Sequence, residues 1–106
     1  MDSHLSSIST AFQAFMREAP QQAQAWGGMV QGLSSATALE KKTAALAYLA
    51  VLAALRLESG VPFHVQSAKQ LGASREEVIS AILVGLPATG HGVTLCLPAA
   101  LAAYDA

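Results

Sequence analysis

Histidine is the side chain best suited to move a proton near neutral pH, because its ordinary pKa is about 6.5. His64 closely follows Pro62, which suits the first turn of a helix, so it is expected at about the third helical position. The positive end of the helix dipole disfavours the imidazolium there and leaves a neutral ring that can act as a base. His64 is therefore the candidate catalytic residue. The alternative is a buried histidine whose ring nitrogens only bond to backbone or to a carboxylate.

Three further residues are candidates to act with His64. Glu58 is the nearest carboxylate in sequence and is a second catalytic candidate that could orient the imidazole, unless it is an exposed charge at a helix end. His91 lies between two glycines, where it either lines a substrate pocket or is an ordinary loop residue. Tyr48 lies in an apolar segment and needs a partner for its hydroxyl, so it either faces a substrate pocket or simply packs.

Metal and thiol chemistry are not expected from this sequence. His64 and His91 lack the i, i+4 spacing of helical metal ligands, so no metal site is predicted, and no pattern indicates a bound cofactor. The single cysteine, Cys96, cannot close an intrachain disulfide and is expected to be a small buried hydrophobe.

The elements that must position these residues are helices, because apolar residues recur at helical spacing and strand alternation is not evident. A first amphipathic helix is predicted to begin after Asp2 or Ser3 and to end at Pro20. A second, shorter helix is predicted to begin at Pro20. Three glycines weaken it, namely Gly27, Gly28 and Gly32.

The central helix is predicted to start at a capping box formed by Thr37 and Glu40 and to run to about Glu58. Its middle, ALAYLAVLAAL, is apolar on every side, which predicts contact on every side. Its many alanines leave gaps that large side chains such as Trp26 are expected to fill.

The second half of the chain predicts a helical hairpin followed by two more helices. A helix from Pro62 to Gly72 should pair with the central helix, and a second capping box should open the next helix, from Ser74 to Leu86. One kinked helix should follow, with Pro98 starting or kinking it. The predicted fold is all-α, with five to six helices in one domain over residues 1–106.

Composition constrains the partners. The chain is 53% hydrophobic and only 12% charged, and its mean hydropathy is +0.41, so one copy is not expected to hide its apolar surface and a homo-oligomer is predicted. A net charge of -1 with no basic cluster beyond Lys41 and Lys42 disfavours nucleic acid and anionic lipid as partners.

The longest apolar run, Ala44 to Leu55, is well short of the roughly 20 residues that span a bilayer, so no membrane association is expected. A cytoplasmic location fits the single cysteine and the N-terminal sequence.

The segment FHVQSAKQLGASREEVISAI, which follows a central helix and Gly60, resembles the carboxymuconolactone decarboxylase and alkylhydroperoxidase D-like superfamily. The resemblance covers roughly residues 39 to 103. It implies an alkylhydroperoxidase D-like helical bundle built around a helical hairpin. It also implies assembly into dimers, trimers or hexamers.

The redox branch of that superfamily carries Cys-x-x-Cys-x-x-x-His and a glutamate in the preceding helix. In this sequence the two cysteine positions are Leu57 and Gly60, the glutamate position is Ala45, and only His64 matches. Because one thiol must attack a peroxide and a second must resolve the product, Cys-dependent peroxidase activity is not expected.

The decarboxylase branch implies a pocket beside His64 for a small organic acid or lactone, with His64 as the proton-transfer residue and a possible loss of carbon dioxide. Arg56 and Arg75 are the only arginines near the relevant helices that could bind a carboxylate, and Arg75 is expected in a solvent-facing turn. The alternative is a non-catalytic oligomeric binding or scaffolding module derived from a peroxidase-type ancestor. The sequence leaves open whether the protein is an enzyme.

Overall fold

The computed structural model describes residues 7–106, and every secondary-structure element in that range is helical, which confirms the all-α prediction. The α-helices are α1 (Thr10–Glu18), α2 (Pro20–Ala36), α3 (Lys41–Ala54), α4 (Val61–Gln70), α5 (Arg75–Leu83), α6 (Leu86–Thr89) and α7 (Leu97–Asp105). Two 3-10 helices, Glu58–Gly60 and Gly90–Cys96, connect α3 to α4 and α6 to α7.

The core lies where α3, α4, α5 and α7 meet, with the second 3-10 helix packed against them. The largest fully buried side chains are Leu49, Val61, Val65, Val78, Ile82, Val93 and Cys96. Cys96 is thus the small buried hydrophobe that the sequence predicts. The helical hairpin is α3 with α4, and it carries the polar side chains of the site described below.

The N-terminal hairpin of α1 and α2 differs from the prediction in both helices. α1 begins at Thr10, where the Ser9 hydroxyl accepts a hydrogen bond from the Phe12 N–H, and the predicted start at Asp2 or Ser3 lies outside the described residues. α2 is the longest helix of residues 7–106, with 17 residues, so the prediction of a shorter helix is wrong. Glycine lowers helix propensity but keeps its N–H, so the hydrogen-bond ladder continues through all three glycines.

The ends of the central helix α3 also differ from the prediction. Glu40 is itself the N-cap and accepts from the Thr43 N–H at 2.8 Å, while the Thr37 hydroxyl accepts from the Leu39 N–H. The capping box predicted between Thr37 and Glu40 is therefore wrong. The helix ends at Ala54, four residues before Glu58, because the chain turns through a left-handed residue, Arg56.

One face of α3 is open, so the prediction of contact on every side is wrong within one chain. The exposed fractions are 47% for Tyr48, 54% for Val51 and 63% for Leu55. The prediction that Trp26 fills a gap among the core alanines is also wrong, because Trp26 is 42% exposed. Its ring lies edge-on to Phe12, with centroids 5.1 Å apart.

The capping box at Ser74 is confirmed: its hydroxyl accepts from the Glu77 N–H, and the Glu77 carboxylate accepts from the Ser74 N–H. α5 ends at Leu83, and Leu86 opens the next helix, so the predicted helix breaks before Leu86. Pro98 lies in the first turn of α7 and starts that helix rather than kinking a longer one. The preceding segment is the 3-10 helix Gly90–Cys96.

By length and composition, the stretch from Arg75 to Asp105 could cross a membrane, with a mean hydropathy of 1.6 over its most apolar window. In this fold the stretch doubles back, because α5 packs against α7. Its first and last residues, Arg75 and Asp105, form an ion pair with Nε 2.9 Å from Oδ1. The stretch is therefore not one straight rod.

Candidate functional site

A cavity of about 500 Å³ lies between the N-terminal hairpin and the α3–α4 hairpin. Its volume is in the range of small-molecule sites. Most of its wall is aromatic or aliphatic. The lining residues are Ile8, Ser9, Phe12, Trp26, Val30, Tyr48, Leu52, Leu57, Ser59, Gly60, Phe63 and His64.

His64, the fourth residue of α4, brings an imidazole to this cavity. Its ring lies against two aromatic rings: the centroid of Tyr48 is 4.4 Å away, and that of Phe63 is 5.2 Å away in an edge-to-face arrangement. No side chain or backbone group within residues 7–106 forms a hydrogen bond with the imidazole. The alternative, a histidine whose ring nitrogens only bond to backbone or to a carboxylate, is therefore not seen within residues 7–106. There the imidazole makes ring contacts alone.

Burial controls the charge of this imidazole. His64 is half-buried, and desolvation lowers its pKa below the ordinary value of 6.5. The ring is consequently neutral at pH 7, with one nitrogen free to accept a proton. That is the state required of a general base.

Two hydroxyl groups join His64 in the cavity. Tyr48 projects from α3 and is half exposed, and its hydroxyl has no hydrogen bond within residues 7–106. Ser59 belongs to the 3-10 helix that connects α3 to α4. Both hydroxyls can donate to a ligand oxygen, whereas the Ser9 hydroxyl already caps α1.

Glu58 and His91 lie away from this arrangement. Glu58 is exposed and does not line the cavity, and it forms no ion pair with His64. Its charge acts instead on Cys96, whose pKa is raised first by burial and then by this carboxylate. His91 is exposed in the second 3-10 helix, also outside the cavity wall. Of the four predicted site residues, the structure brings together His64 and Tyr48.

The positions that carry cysteines in the redox branch do line the cavity, as Leu57 and Gly60. Neither can form a thiolate. Cys96 is fully buried and lies outside the cavity, and its raised pKa keeps the thiol protonated. Within residues 7–106, no group of three or more His, Cys, Asp or Glu side chains is arranged to hold a metal ion.

The aromatic wall of the cavity was missed by sequence reasoning. The chain has only six aromatic residues, and four of them line the cavity: Phe12, Trp26, Tyr48 and Phe63. No sequence signal brings them together, because they are spread from position 12 to position 63 and the helical spacing alone assigned Phe12 and Trp26 to packing. Ser59 was missed because an isolated serine in a turn carries no pattern.

Neither the curated proteins nor the solved structures gave a significant match to the chain. A model of the carboxymuconolactone decarboxylase family matches residues 20–106, which include α2, the α3–α4 hairpin and His64. Because this match covers well over half of the sequence, the chain belongs to the carboxymuconolactone decarboxylase family.

Proposed function

We propose that the cavity binds a small organic acid or lactone and that His64 transfers a proton to or from it. The observation that carries this proposal is the neutral imidazole, which faces a cavity of ligand size with no hydrogen-bond partner within residues 7–106. A neutral base beside two hydroxyl groups can remove a proton next to a carbonyl group, because the base accepts the proton and a hydroxyl can donate to the carbonyl oxygen.

The chemistry follows from the three polar groups. A hydroxyl of Ser59 or Tyr48 donates to the carbonyl oxygen of the ligand, and the neutral nitrogen of His64 accepts a proton from the adjacent carbon. The developing charge on the carbonyl oxygen is then stabilised by the donated hydrogen bond. In a lactone acid, cleavage of the bond between a carbon and its carboxylate releases carbon dioxide and leaves the electron pair on that carbon, which takes up a proton that His64 relays from water.

The proton-transfer step can be tested with 2-coumaranone, an aromatic lactone with acidic C–H bonds next to its carbonyl. We expect the native protein to accelerate exchange of these protons for deuterium, measured by NMR against the spontaneous rate. His64→Gln should lower the acceleration on the order of 100-fold, the lower end of the usual contribution of a general base. His91→Gln is the matched control and should leave the rate unchanged, because His91 lies outside the cavity. An equal rate in native protein and His64→Gln would reject the catalytic proposal.

The second candidate is an oligomeric binding or scaffolding module, and it is favoured by excess exposed surface. The chain exposes 6713 Å², against about 5,600 Å² for a compact monomer of its mass. The difference is comparable to the roughly 800 Å² that each partner buries in a standard interface. We infer that copies of this chain associate with one another, and self-association is compatible with either candidate. The isotope-exchange experiment separates them, since a scaffold has no need of a reactive His64.

A further inference from the structure

We propose that the ligand of this cavity carries an aromatic ring, which the aromatic side chains of the two hairpins hold between them. This inference deepens the proposed function and rests on it, because it names the class of small organic molecule that binds. It concerns the hydrocarbon part of the ligand rather than its reacting group.

The first argument is where the chain places its aromatic residues. The core contains no fully buried aromatic ring within residues 7–106, and its buried side chains are those of leucine, isoleucine, valine, alanine and cysteine. Four of the six aromatic residues line the cavity instead, although aromatic residues make up only 6% of the chain. The other two are Phe15, which packs on Phe12, and Tyr104, whose hydroxyl donates to the Ala73 carbonyl. The rings are therefore concentrated at the cavity and do not fill the interior.

The second argument is the arrangement of the rings on the two sides of the cavity. On the N-terminal hairpin, Phe12 and Trp26 meet edge to face, with centroids 5.1 Å apart. On the α3–α4 hairpin, the rings of Tyr48 and Phe63 contact that of His64, with centroids 4.4 and 5.2 Å away. Aromatic rings prefer centroid separations of about 4.5 to 7 Å. Each side of the cavity therefore presents a ring cluster that is already assembled, so a ligand ring would bind with little cost of ordering these side chains.

The third argument is that these rings are incompletely covered within one chain. Trp26 and Tyr48 are exposed, and Phe12, Phe63 and His64 are half-buried. A ligand ring that packs there removes apolar surface from water, and a ring–ring contact contributes more than the buried area alone. An aromatic ligand therefore gains more from this wall than an aliphatic ligand of the same size.

The cavity is large enough for a ring and its polar substituent together. An apolar cavity of about 150 Å³ is sufficient for benzene, and this cavity has about 500 Å³. The remaining volume accommodates a carbonyl or carboxyl group. That group would meet the hydroxyls of Ser59 and Tyr48 and the imidazole of His64, which line the same cavity.

Aromatic side chains also attract cations, but this arrangement favours a neutral ring over a positive charge. A cation is attracted to ring faces, whereas an aromatic ligand can pack against faces and edges alike. In the edge-to-face pairs of Phe12 with Trp26 and of Phe63 with His64, the edge of one ring covers part of the face of the other. These contacts occupy ring faces that a cation would need. In addition, no aspartate or glutamate within residues 7–106 lines the cavity.

Phenylacetate and cyclohexylacetate are a matched pair of probes, because they share the carboxylate and the number of carbon atoms and differ in the ring. We expect calorimetry at neutral pH to show binding of phenylacetate that is tighter by about fivefold or more, the fold-change that one ring–ring contact supplies. In NMR spectra, the ring protons of bound phenylacetate should move upfield and should show nuclear Overhauser effects to the Trp26 indole. Tetramethylammonium, the cation probe, should bind more weakly than phenylacetate.

Removing one ring from the wall should reduce this preference. Phe12→Leu and Trp26→Leu each replace a lining ring with an aliphatic side chain, and each should lower the ratio of the two affinities about twofold or more. Phe15→Leu is the matched control, since it makes the same change on α1 in a half-buried ring that does not line the cavity, and it should leave the ratio unchanged. Circular dichroism establishes that the variants are folded. The two lining variants lie on different helices, so unfolding of one leaves the other as the test.

The outcomes separate this inference from the proposed function. Equal binding of phenylacetate and cyclohexylacetate, or tighter binding of tetramethylammonium, would overturn the inference, while His64-dependent isotope exchange would still support the proposed function. Equal effects of Phe12→Leu, Trp26→Leu and Phe15→Leu would also overturn it, because the lining rings would then not set the preference. Binding of none of the probes would overturn the inference, and absence of His64-dependent exchange as well would overturn the proposed function with it.

Discussion

The Arg56 guanidinium lies directly against Gly92, so closely that a Cβ at position 92 would be 2.6 Å from the arginine Nε. Arg56 also has a left-handed backbone, with φ of 58°, and it directly follows Leu55, the C-cap of α3. The Arg56 N–H donates to the Ala53 carbonyl and the Leu57 N–H donates to the Leu52 carbonyl. This is the Schellman arrangement, in which glycine is the usual left-handed residue.

Arg56→Gly should stabilise the protein by about 0.5 to 1 kcal/mol, because it removes the left-handed strain of a residue with a Cβ. Chemical denaturation measures the free energy of unfolding. Leu55→Gly is the neighbouring control, since Leu55 has an ordinary right-handed backbone, and it should destabilise the protein instead. A loss of stability in Arg56→Gly would mean that the contact with Gly92 outweighs the strain.

Protonation of His64 should destabilise the fold below neutral pH. Because burial lowers the pKa of His64 below 6.5, the unfolded chain binds more protons than the folded chain in that region. The free energy of unfolding should therefore fall as the pH drops through 6.5 and should stop falling, for this group, below the lowered pKa.

The difference between native protein and His64→Gln isolates this effect. Glu77 and Asp105 also have lowered pKa values, through hydrogen bonds with Ser74 and Arg75 respectively, but their contributions are lost only below 4.5 and 3.8. In His64→Gln, the free energy of unfolding should change less with pH around pH 6 than it does in the native protein. At lower pH, where Glu77 and Asp105 become protonated, the two proteins should lose stability in the same way. Imidazole NMR that gives His64 a pKa above 6.5 would contradict the expectation.

The two tyrosines should respond differently to loss of the hydroxyl. Tyr104 donates to the Ala73 carbonyl at 2.8 Å, and Ala73 is buried, so Tyr104→Phe leaves that acceptor without a partner. We expect a loss of about 1 to 2 kcal/mol in the free energy of unfolding. Tyr48→Phe should leave the stability nearly unchanged and should weaken ligand binding. The reverse pattern would remove Tyr48 from the site.

Thiol-dependent peroxidase activity should be absent from the native protein. Cys96 is buried with a raised pKa, and Leu57 and Gly60 carry no thiol. Hydroperoxide consumption should equal the buffer rate and should not change in Cys96→Ala. Turnover that Cys96→Ala abolishes would show that the buried thiol becomes accessible.

Self-association should depend on the outer face of α2. This helix has no charged residue and no buried residue, and it exposes 53% of Met29 and 65% of Leu33. Leu33→Glu should shift the species seen by light scattering towards the 10.9 kDa monomer, while Gln31→Glu on the same helix should not. A native protein that is already monomeric at micromolar concentration would reject the association.

The fold class and the α3–α4 hairpin could be predicted because their signals are local. Pro62, Gly72 and the Ser74 capping box mark helix boundaries through backbone chemistry that acts within a few residues. The end of α3 could not be predicted, because its left-handed residue is an arginine and carries no sequence signal for that conformation.

The site was predictable only in part for a related reason. Residue type and helix position predict His64 as a site residue, and a hydroxyl in an apolar helix predicts Tyr48. Their contact at 4.4 Å depends on how α3 packs on α4. Trp26 reaches the cavity wall from α2. The spacing of residues along the chain does not predict such contacts between helices that are distant in sequence.

The outer wall of the cavity, which includes Trp26 and Val30, belongs to a helix with no buried residue. Such a helix can open without disturbing the core. The rates of ligand entry and release should therefore follow the opening of α2 rather than diffusion through a fixed mouth. A Cβ added at Gly28 would have no neighbour within 4 Å, so Gly28→Ala should strengthen the helix and lengthen the residence time of a bound ligand.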